Sequence, residues 1–299
     1  MMGPFDGMSW ADSARELESL GYSTLFVPDH FHQGFGPITA MATAAMATTS
    51  LNVATAVFAA DFRHPAVLAR ELASIDVLSQ GRLEVGIGAG YNPLDYSRSG
   101  IAMDTPTIRV DRLIEHTRVL KALWADGPVT FEGEHYRIDD LDGTPKPFRP
   151  GGPPVLLAGG GKRLLRFAAA TADIVGINAS IPAAPDASTA RDGLPSSIDE
   201  KVRWIREAAG DRYDDLEFNA WLSVAKVTDD ALAVADRLSG RFGAAPEEVL
   251  SAPSILVGSE SAIADRLHAR RDRWGFSYCV IQGPSVHEFA GVVSRLAGM

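Results

Sequence analysis

Residues 63–90 read RHPAVLARELASIDVLSQGRLEVGIGAG and contain one complete helix followed by one complete strand. After Pro65, apolar side chains recur at helical spacing and define one face, formed by Leu68, Leu72, Ile75 and Leu78. Gly81 to Ile87 is then a short apolar run typical of a buried strand, and a glycine-rich segment follows it. The stretch therefore predicts a helix that feeds a buried strand.

The same alternation continues along most of the chain. Further strands are predicted at Thr24–Val27, Leu51–Val57, Val155–Ala158, Ile174–Ile177, Glu217–Trp221 and Tyr278–Ile281. Further helices are predicted from a Ser9 cap to Gly21, and at Met41–Thr48, Ile108–Trp124, Leu164–Ala170, Asp199–Ala209, Asp229–Gly240, Ala262–Trp274 and Val286–Leu296. Repeated strand–helix units predict an α/β fold with a parallel sheet. Periodicity alone fits both a closed barrel and an open doubly wound sheet.

Three segments interrupt this alternation and are interpreted as insertions in a single domain spanning residues 1–299. They cover about 91–107, 129–154 and 179–197; the second predicts a hairpin and the third a loop rich in Pro, Ala, Ser and Asp. Only Met1 to Asp6 precede the first helix, although a barrel needs a strand there. We therefore expect a truncated first strand, or a true start upstream of this one.

Composition excludes several classes of protein. The formal net charge is −10 with no run of Lys or Arg, which argues against a nucleic-acid partner. Neither a signal peptide nor a long apolar span is visible, so a cytoplasmic protein without membrane association is expected. The single cysteine, Cys279, lies in a strand-like run and is interpreted as a structural thiol.

Polar or glycine-rich residues follow several predicted strands, where the active site of a barrel is built. Asp29 and His30 follow one strand and could move a proton or grip a polar cofactor edge, although a turn cap is an equally good interpretation. Gly86 to Asn92 contains G-x-G-x-G rather than the dinucleotide pattern G-x-G-x-x-G, so a Rossmann site is disfavoured.

A second glycine-rich run favours phosphate binding. Gly159 to Gly161 precede a predicted helix, whose free N–H groups suit an anion, and Lys162 and Arg163 add charge. The run lacks the G-K-[ST] ending of a P-loop. The sequence shows no spacing typical of metal ligands. His30 and His32, two residues apart, are by themselves a weak signal for a metal site, and no metal is expected.

Together these motifs resemble the luciferase-like monooxygenase superfamily. The resemblance is carried by residues 20–31, ending in Val27-Pro28-Asp29-His30-Phe31, and more specifically by residues 63–71, 76–82 and 86–90 in that order. It implies a (β/α)₈ TIM barrel that holds FMN or the deazaflavin coenzyme F420. The sequence Val27-Pro28-Asp29-His30 is more similar to the motif of the deazaflavin-dependent branch of the family.

The resemblance also implies roles for individual residues. Asp29 and His30 would lie near the cofactor ring. We expect His30 to transfer a proton or to orient the substrate, and Asp29 to set the tautomer of His30 or to contact the cofactor. The ring would be backed by a cis peptide between Ala56 and Val57, and further cofactor contacts would come from Gly88, Ala89, Gly90 and Asn92, with Gly160 and Gly161 at the phosphate.

The function that follows is F420-dependent hydride transfer to or from a small organic substrate, in a homodimer. Two alternatives stay open: an FMN-dependent monooxygenase that uses reduced flavin and oxygen, and a non-catalytic cofactor-binding member. Sugar-phosphate dehydrogenases of this family carry a tryptophan and a glutamate where this chain has Gly34 and Tyr91, so that activity is not expected.

Overall fold

The structure, a computed structural model, describes residues 1–180 and 187–296, and the side chains of 187 and 188 are outside this description. The chain divides into two compact units, Met1–Val155 and Leu156–Met299. Within the described residues, no helix is both long and apolar enough to cross a membrane.

The first unit contains five helices and six strands. The helices are α1 (Trp10–Ser19), α2 (Pro37–Ala47), α3 (Pro65–Leu78), α4 (Pro93–Ser99) and α5 (Pro106–Trp124). The strands are β1 (Thr24–Val27), β2 (Asn52–Thr55), β3 (Phe58–Ala59), β4 (Leu83–Gly88), β5 (Pro128–Glu132) and β6 (Arg137–Asp142), and a 3₁₀ turn covers Ala60–Phe62.

The central strands of this unit are parallel. Thr24 of β1 pairs with Asn52 of β2, Val53 of β2 pairs with Leu83 of β4, and β3 runs parallel to the end of β4. All six residues of β4 are buried, as expected for a strand of a parallel sheet covered on both faces. The parallel arrangement predicted from the sequence is therefore confirmed.

Local sequence explains where the helices begin. The Ser9 hydroxyl accepts a hydrogen bond from the Asp12 N–H and caps α1. Proline occupies the first turn of the other four helices, where its missing N–H costs nothing. For this reason α2 begins at Pro37 rather than at the predicted Met41.

Two further boundaries in this unit differ from the prediction. The strand predicted over Leu51–Val57 is divided, because β2 ends at Thr55 and β3 begins at Phe58. The segment predicted as an insertion at 91–107 contains α4. The hairpin predicted in 129–154 is confirmed as the antiparallel pair β5–β6.

The second unit contains seven helices and six strands in its described part. The strands are β7 (Val155–Gly159, which starts at the last residue of the first unit), β8 (Ile174–Ile177), β9 (Glu217–Trp221), β10 (Val224–Val227), β11 (Ile255–Gly258) and β12 (Phe276–Val280). The helices are α6 (Lys162–Thr171), α7 (Ala187–Arg191), α8 (Pro195–Ala209), α9 (Ala231–Phe242), α10 (Pro246–Ser251), α11 (Glu260–Trp274) and α12 (Ala290–Leu296), and 3₁₀ turns cover Gly210–Asp215 and Gly283–Ser285.

Strands β7, β8, β9 and β12 are parallel in that order, and β10 and β11 form a separate parallel pair that the sequence analysis missed. The predicted loop 179–197 includes α7 and the start of α8, while its residues 181–186 lie outside the described part. The α/β class is confirmed.

Residues 1–9, all of them described, form no strand. The Met1 ammonium donates a hydrogen bond to the Phe26 carbonyl of β1. Closure of the strands into an eight-stranded barrel and truncation of its first strand remain predictions.

Candidate functional site

Asp29 lies just beyond the buried strand β1 and is itself buried. Its carboxylate accepts two hydrogen bonds from the Arg63 guanidinium, at 2.6 and 3.0 Å, and a third from the Ala59 N–H at 3.2 Å. Bidentate charge-assisted pairs of this kind are strong and fix both partners. Asp29 therefore links the end of β1 to β3 and to the segment before α3.

The neighbouring His30 points to a different carboxylate. Its Nδ1 lies 2.6 Å from Oδ2 of Asp95, which stands in the first turn of α4. The other oxygen of Asp95 accepts the Phe31 N–H at 3.0 Å and lies 2.9 Å from Nδ1 of His32. One buried carboxylate thus joins two imidazoles and the backbone between them.

The electrostatics of Asp95 fix the orientation of His30. Burial by itself raises the pKa of Asp95, but the hydrogen bonds from His30, His32 and the Phe31 N–H outweigh it and hold that pKa below its ordinary value. An ionised carboxylate only accepts hydrogen bonds, so Nδ1 of His30 carries a proton. In the neutral ring, Nε2 is then the nitrogen that can accept a proton.

The predicted pairing of Asp29 with His30 is thus replaced by two separate pairs. Asp95 occupies the tautomer-setting position predicted for Asp29, whose carboxylate is held by Arg63 and the Ala59 N–H. Asp95 was missed because it lies 65 residues from His30. The signal that could have found it is Asn92-Pro93, a helix start that places an acidic residue in the first turn.

Helix α4 is anchored by a second polar group. The Tyr96 hydroxyl donates to Asp61 at 2.8 Å, and Arg112 of α5 donates to the same carboxylate at 2.6 Å and also pairs with Asp104. The Asp61 carboxylate thus connects α4 to α5 through Tyr96 and Arg112. This connection holds α4 in the position in which Asp95 contacts His30.

Aromatic side chains flank His30. The Tyr91 ring meets the His30 ring edge-to-face at a centroid distance of 5.8 Å, and 54% of Tyr91 remains exposed. Phe31 is 55% exposed and packs against Phe62 at 4.8 Å. Exposed aromatic surface next to a positioned imidazole suits a planar or apolar ligand.

Two glycines of β4, Gly86 and Gly88, pack closely against the segment that contains Thr55 and Val57. The Ala56–Val57 peptide bond is cis, which confirms the expectation. A Cβ added at Gly88 would lie 2.6 Å from Cγ2 of Val57, and one added at Gly86 would overlap the Thr55 carbonyl oxygen. Only glycine lets β4 approach this segment so closely.

The end of the glycine-rich run is more open. Ala89 and Gly90 are half-buried, and Gly90 has a φ of +71° with the Tyr96 hydroxyl where a side chain would be. The Asn92 side chain accepts the Leu94 N–H and caps α4. These backbone atoms fit contact with a flat ring, whereas Asn92 already has a structural partner.

In the second unit, Gly160 and Gly161 lie between β7 and α6. Gly161 is the N-cap of α6 without a side-chain capping bond, and a Cβ built on it would contact nothing within 4 Å. A Cβ built on Gly160, by contrast, would overlap the backbone of Ala179 and Ser180. Both glycines lie ahead of a helix N-terminus, which is the position predicted for the phosphate. Lys162, however, extends over the Trp204 ring at 5.5 Å.

Comparison with known proteins establishes the family. The sequence model of the family described as luciferase-like monooxygenase matches residues 9–194, more than half of the chain. This chain therefore belongs to the luciferase-like monooxygenase family, as the resemblance indicated.

The relatives include an F420-dependent dehydrogenase and a monooxygenase. An F420-dependent glucose-6-phosphate dehydrogenase of Nakamurella multipartita is 30% identical over 243 residues, which are 79% of this chain and 68% of that protein. The pyrimidine monooxygenase RutA of Allorhizobium ampelinum is 29% identical over 175 residues, 55% of this chain and 47% of that protein.

Solved structures share the fold over nearly the whole chain. The coenzyme F420-dependent tetrahydromethanopterin reductase of Methanopyrus kandleri superposes with a TM-score of 0.74 at 17% identity, covering 97% of this chain and 93% of that chain. An F420-dependent secondary alcohol dehydrogenase gives 0.72 at 20% identity, covering 95% and 94%.

Proposed function

We propose that this protein is an F420-dependent oxidoreductase that transfers a hydride between the deazaflavin and a small organic substrate. The observation that carries the proposal is the contact of 2.6 Å between His30 and Asp95 at the end of β1. Hydride transfer to or from a carbon that bears oxygen or nitrogen requires a partner that moves one proton, and an imidazole oriented by a carboxylate is suited to that task.

The chain's own groups would act as follows. In substrate oxidation, Nε2 of His30 accepts the hydroxyl proton while the hydride leaves the adjacent carbon; in reduction the same nitrogen donates it. Asp95 keeps the Nδ1 proton in place and stabilises the imidazolium that forms. The bound deazaflavin would supply the hydride-accepting or hydride-donating carbon.

Residues of the first unit that would contact the ring are proposed from their positions at strand ends: Ala56, Val57, Gly88, Ala89, Gly90 and Asn92, with Asp29 holding the framework behind them. Gly160 and Gly161 are the proposed phosphate-binding residues of the second unit. The closed barrel, a single domain and a homodimer remain part of this proposal.

Titration with F420 and with FMN, followed by tryptophan fluorescence, tests the cofactor. We expect micromolar or tighter binding of F420 and weaker binding of FMN. Turnover is then screened with alcohols and carbonyl compounds in His30→Ala, with His268→Ala as a matched control, since His268 is an exposed histidine of α11. F420 binding with unchanged turnover in His30→Ala would contradict the role of His30.

A flavin-dependent monooxygenase is the second candidate, supported by the similarity to RutA. Oxygen consumption with reduced FMN, together with tighter FMN binding, would favour it over F420 chemistry. A non-catalytic protein is the third candidate, supported by Gly34 and Tyr91, which stand where sugar-phosphate dehydrogenases of this family carry a tryptophan and a glutamate. At Gly34, a φ of +80° and the nearby Met2 carbonyl leave no room for a side chain. Tight F420 binding without turnover on a broad substrate panel would support that alternative.

A further inference from the structure

We propose that His30, His32 and Asp95 form a binding site for a divalent first-row transition ion such as Zn²⁺, and that a bound ion removes His30 from proton transfer. Each of the three residues offers one ligand atom, and these atoms lie within 4.8 Å of one another. The metal site is inferred from the positions of the ligand atoms and does not depend on the proposed function. The effect of the ion on proton transfer rests on the proposed function of His30.

The donor chemistry selects the kind of ion. Two imidazole nitrogens and one carboxylate oxygen suit Zn²⁺ and its neighbours, whereas Mg²⁺ and Ca²⁺ prefer oxygen ligands alone. In a tetrahedral site, bonds of 2.0–2.1 Å put adjacent ligand atoms about 3.3 Å apart. The hydrogen-bond distances of 2.6 and 2.9 Å from Asp95 to the two Nδ1 atoms are shorter than this. The ion would therefore take the place of the two hydrogen bonds, and each imidazole would move away from Asp95 by roughly 0.5 Å.

The surroundings supply orientation and access. The Phe31 N–H holds Asp95 by a hydrogen bond of 3.0 Å, the kind of outer contact that orients a metal-ligating carboxylate. The Asp95 side chain is 3% exposed, while those of His30 and His32 are 18% and 21% exposed. An ion can thus reach the imidazoles from solvent and keep water in its remaining positions.

Metal binding and proton transfer use the two nitrogen atoms of the same His30 ring. The proton on Nδ1 of each imidazole must move to Nε2 before Nδ1 can bind a metal, so no proton need leave a neutral ring. Nε2 of His30 then carries a proton and can no longer accept one from a substrate. Occupancy by Zn²⁺ should accordingly inhibit a reaction that depends on His30.

The test is calorimetric titration of cofactor-free, chelator-treated full-length protein with Zn²⁺. We expect one equivalent to bind with micromolar affinity, a loss of at least 10-fold in His32→Ala and in Asp95→Asn, and no change in His268→Ala. Absence of one-equivalent binding, or unchanged affinity in either His32→Ala or Asp95→Asn, would overturn the site.

A measurement on the wild-type protein covers the case in which a variant fails to fold. X-ray absorption of the Zn²⁺-loaded chain should show two imidazole ligands at about 2.0–2.1 Å. A spectrum without imidazole scattering contradicts the assignment. Since no cofactor is present in either experiment, failure here leaves the proposed hydride transfer untouched, and failure of F420 binding leaves the metal site untouched.

Discussion

Replacing Asp29 by alanine should cost stability rather than act mainly on the chemistry. The Asp29 side chain is only 6% exposed, and its loss leaves the Arg63 guanidinium without the two hydrogen bonds of 2.6 and 3.0 Å and the Ala59 N–H without its acceptor. Breaking a buried pair costs about 3–5 kcal/mol. Because Arg63 keeps 24% of its side chain in water, we expect about 2–4 kcal/mol.

Urea-induced unfolding, followed by tryptophan fluorescence, measures this loss. Asp12→Ala is the control, because Asp12 and Arg15 form a pair more than half exposed, and exposed ion pairs contribute little to stability. In the double variant Asp29→Ala/Arg63→Met, part of the stability should return, since no buried charge is left unpaired. A loss in Asp29→Ala no larger than in Asp12→Ala would refute this account of Asp29.

Three other outcomes follow from the structure. Burial raises the pKa of Glu18, but hydrogen bonds from neighbouring N–H and hydroxyl groups outweigh it and lower that pKa to about 2. The contribution of Glu18 to the free energy of unfolding is therefore complete above about pH 5 and is lost as the pH falls toward 2. Glu18→Gln should reduce the free energy of unfolding by about 1–2 kcal/mol at pH 7 and by much less near pH 2, measured by urea unfolding at both. Gly88→Ala should destabilise by about 1–3 kcal/mol in the same assay, because its methyl group meets Val57; a neutral effect would contradict the close packing. On the proposed function, Asp95→Asn should lower kcat about 100-fold with little change in F420 affinity, because His30 loses its orienting carboxylate; unchanged kcat would contradict that role.

Short strands between clear helical patterns were the elements that the sequence predicted best. The bounds of β1 and β8 agree with the prediction, because each is a short, mostly buried apolar run between helical patterns. Strand β11 was overlooked, although Ile255–Gly258 is a fully buried apolar run. Strand β10 was missed for a physical reason. Val224–Val227 is only half-buried and contains Lys226, so it shows neither a continuous apolar run nor a regular alternation.

The site was predictable only where its residues are adjacent in sequence. Asp29 and His30 were found because polar residues at the end of a buried strand stand out. Asp95 comes from a short helix in a segment that was interpreted as an insertion, since seven residues are too few to show a helical period. Tertiary structure, and not local pattern, brings that helix to His30.

The two adjacent residues at the end of β1 therefore have different partners and should respond differently to substitution. Asp29 is held by an arginine and a backbone N–H, so its removal weakens the framework. His30 contacts a carboxylate that also binds His32, so removal of Asp95 releases two imidazoles at once. Asp95 can orient His30 for proton transfer, or it can bind a metal ion together with His30 and His32. These two roles exclude each other at any one time. Competition between Zn²⁺ and turnover would thus link the two proposals, while each keeps its own independent test.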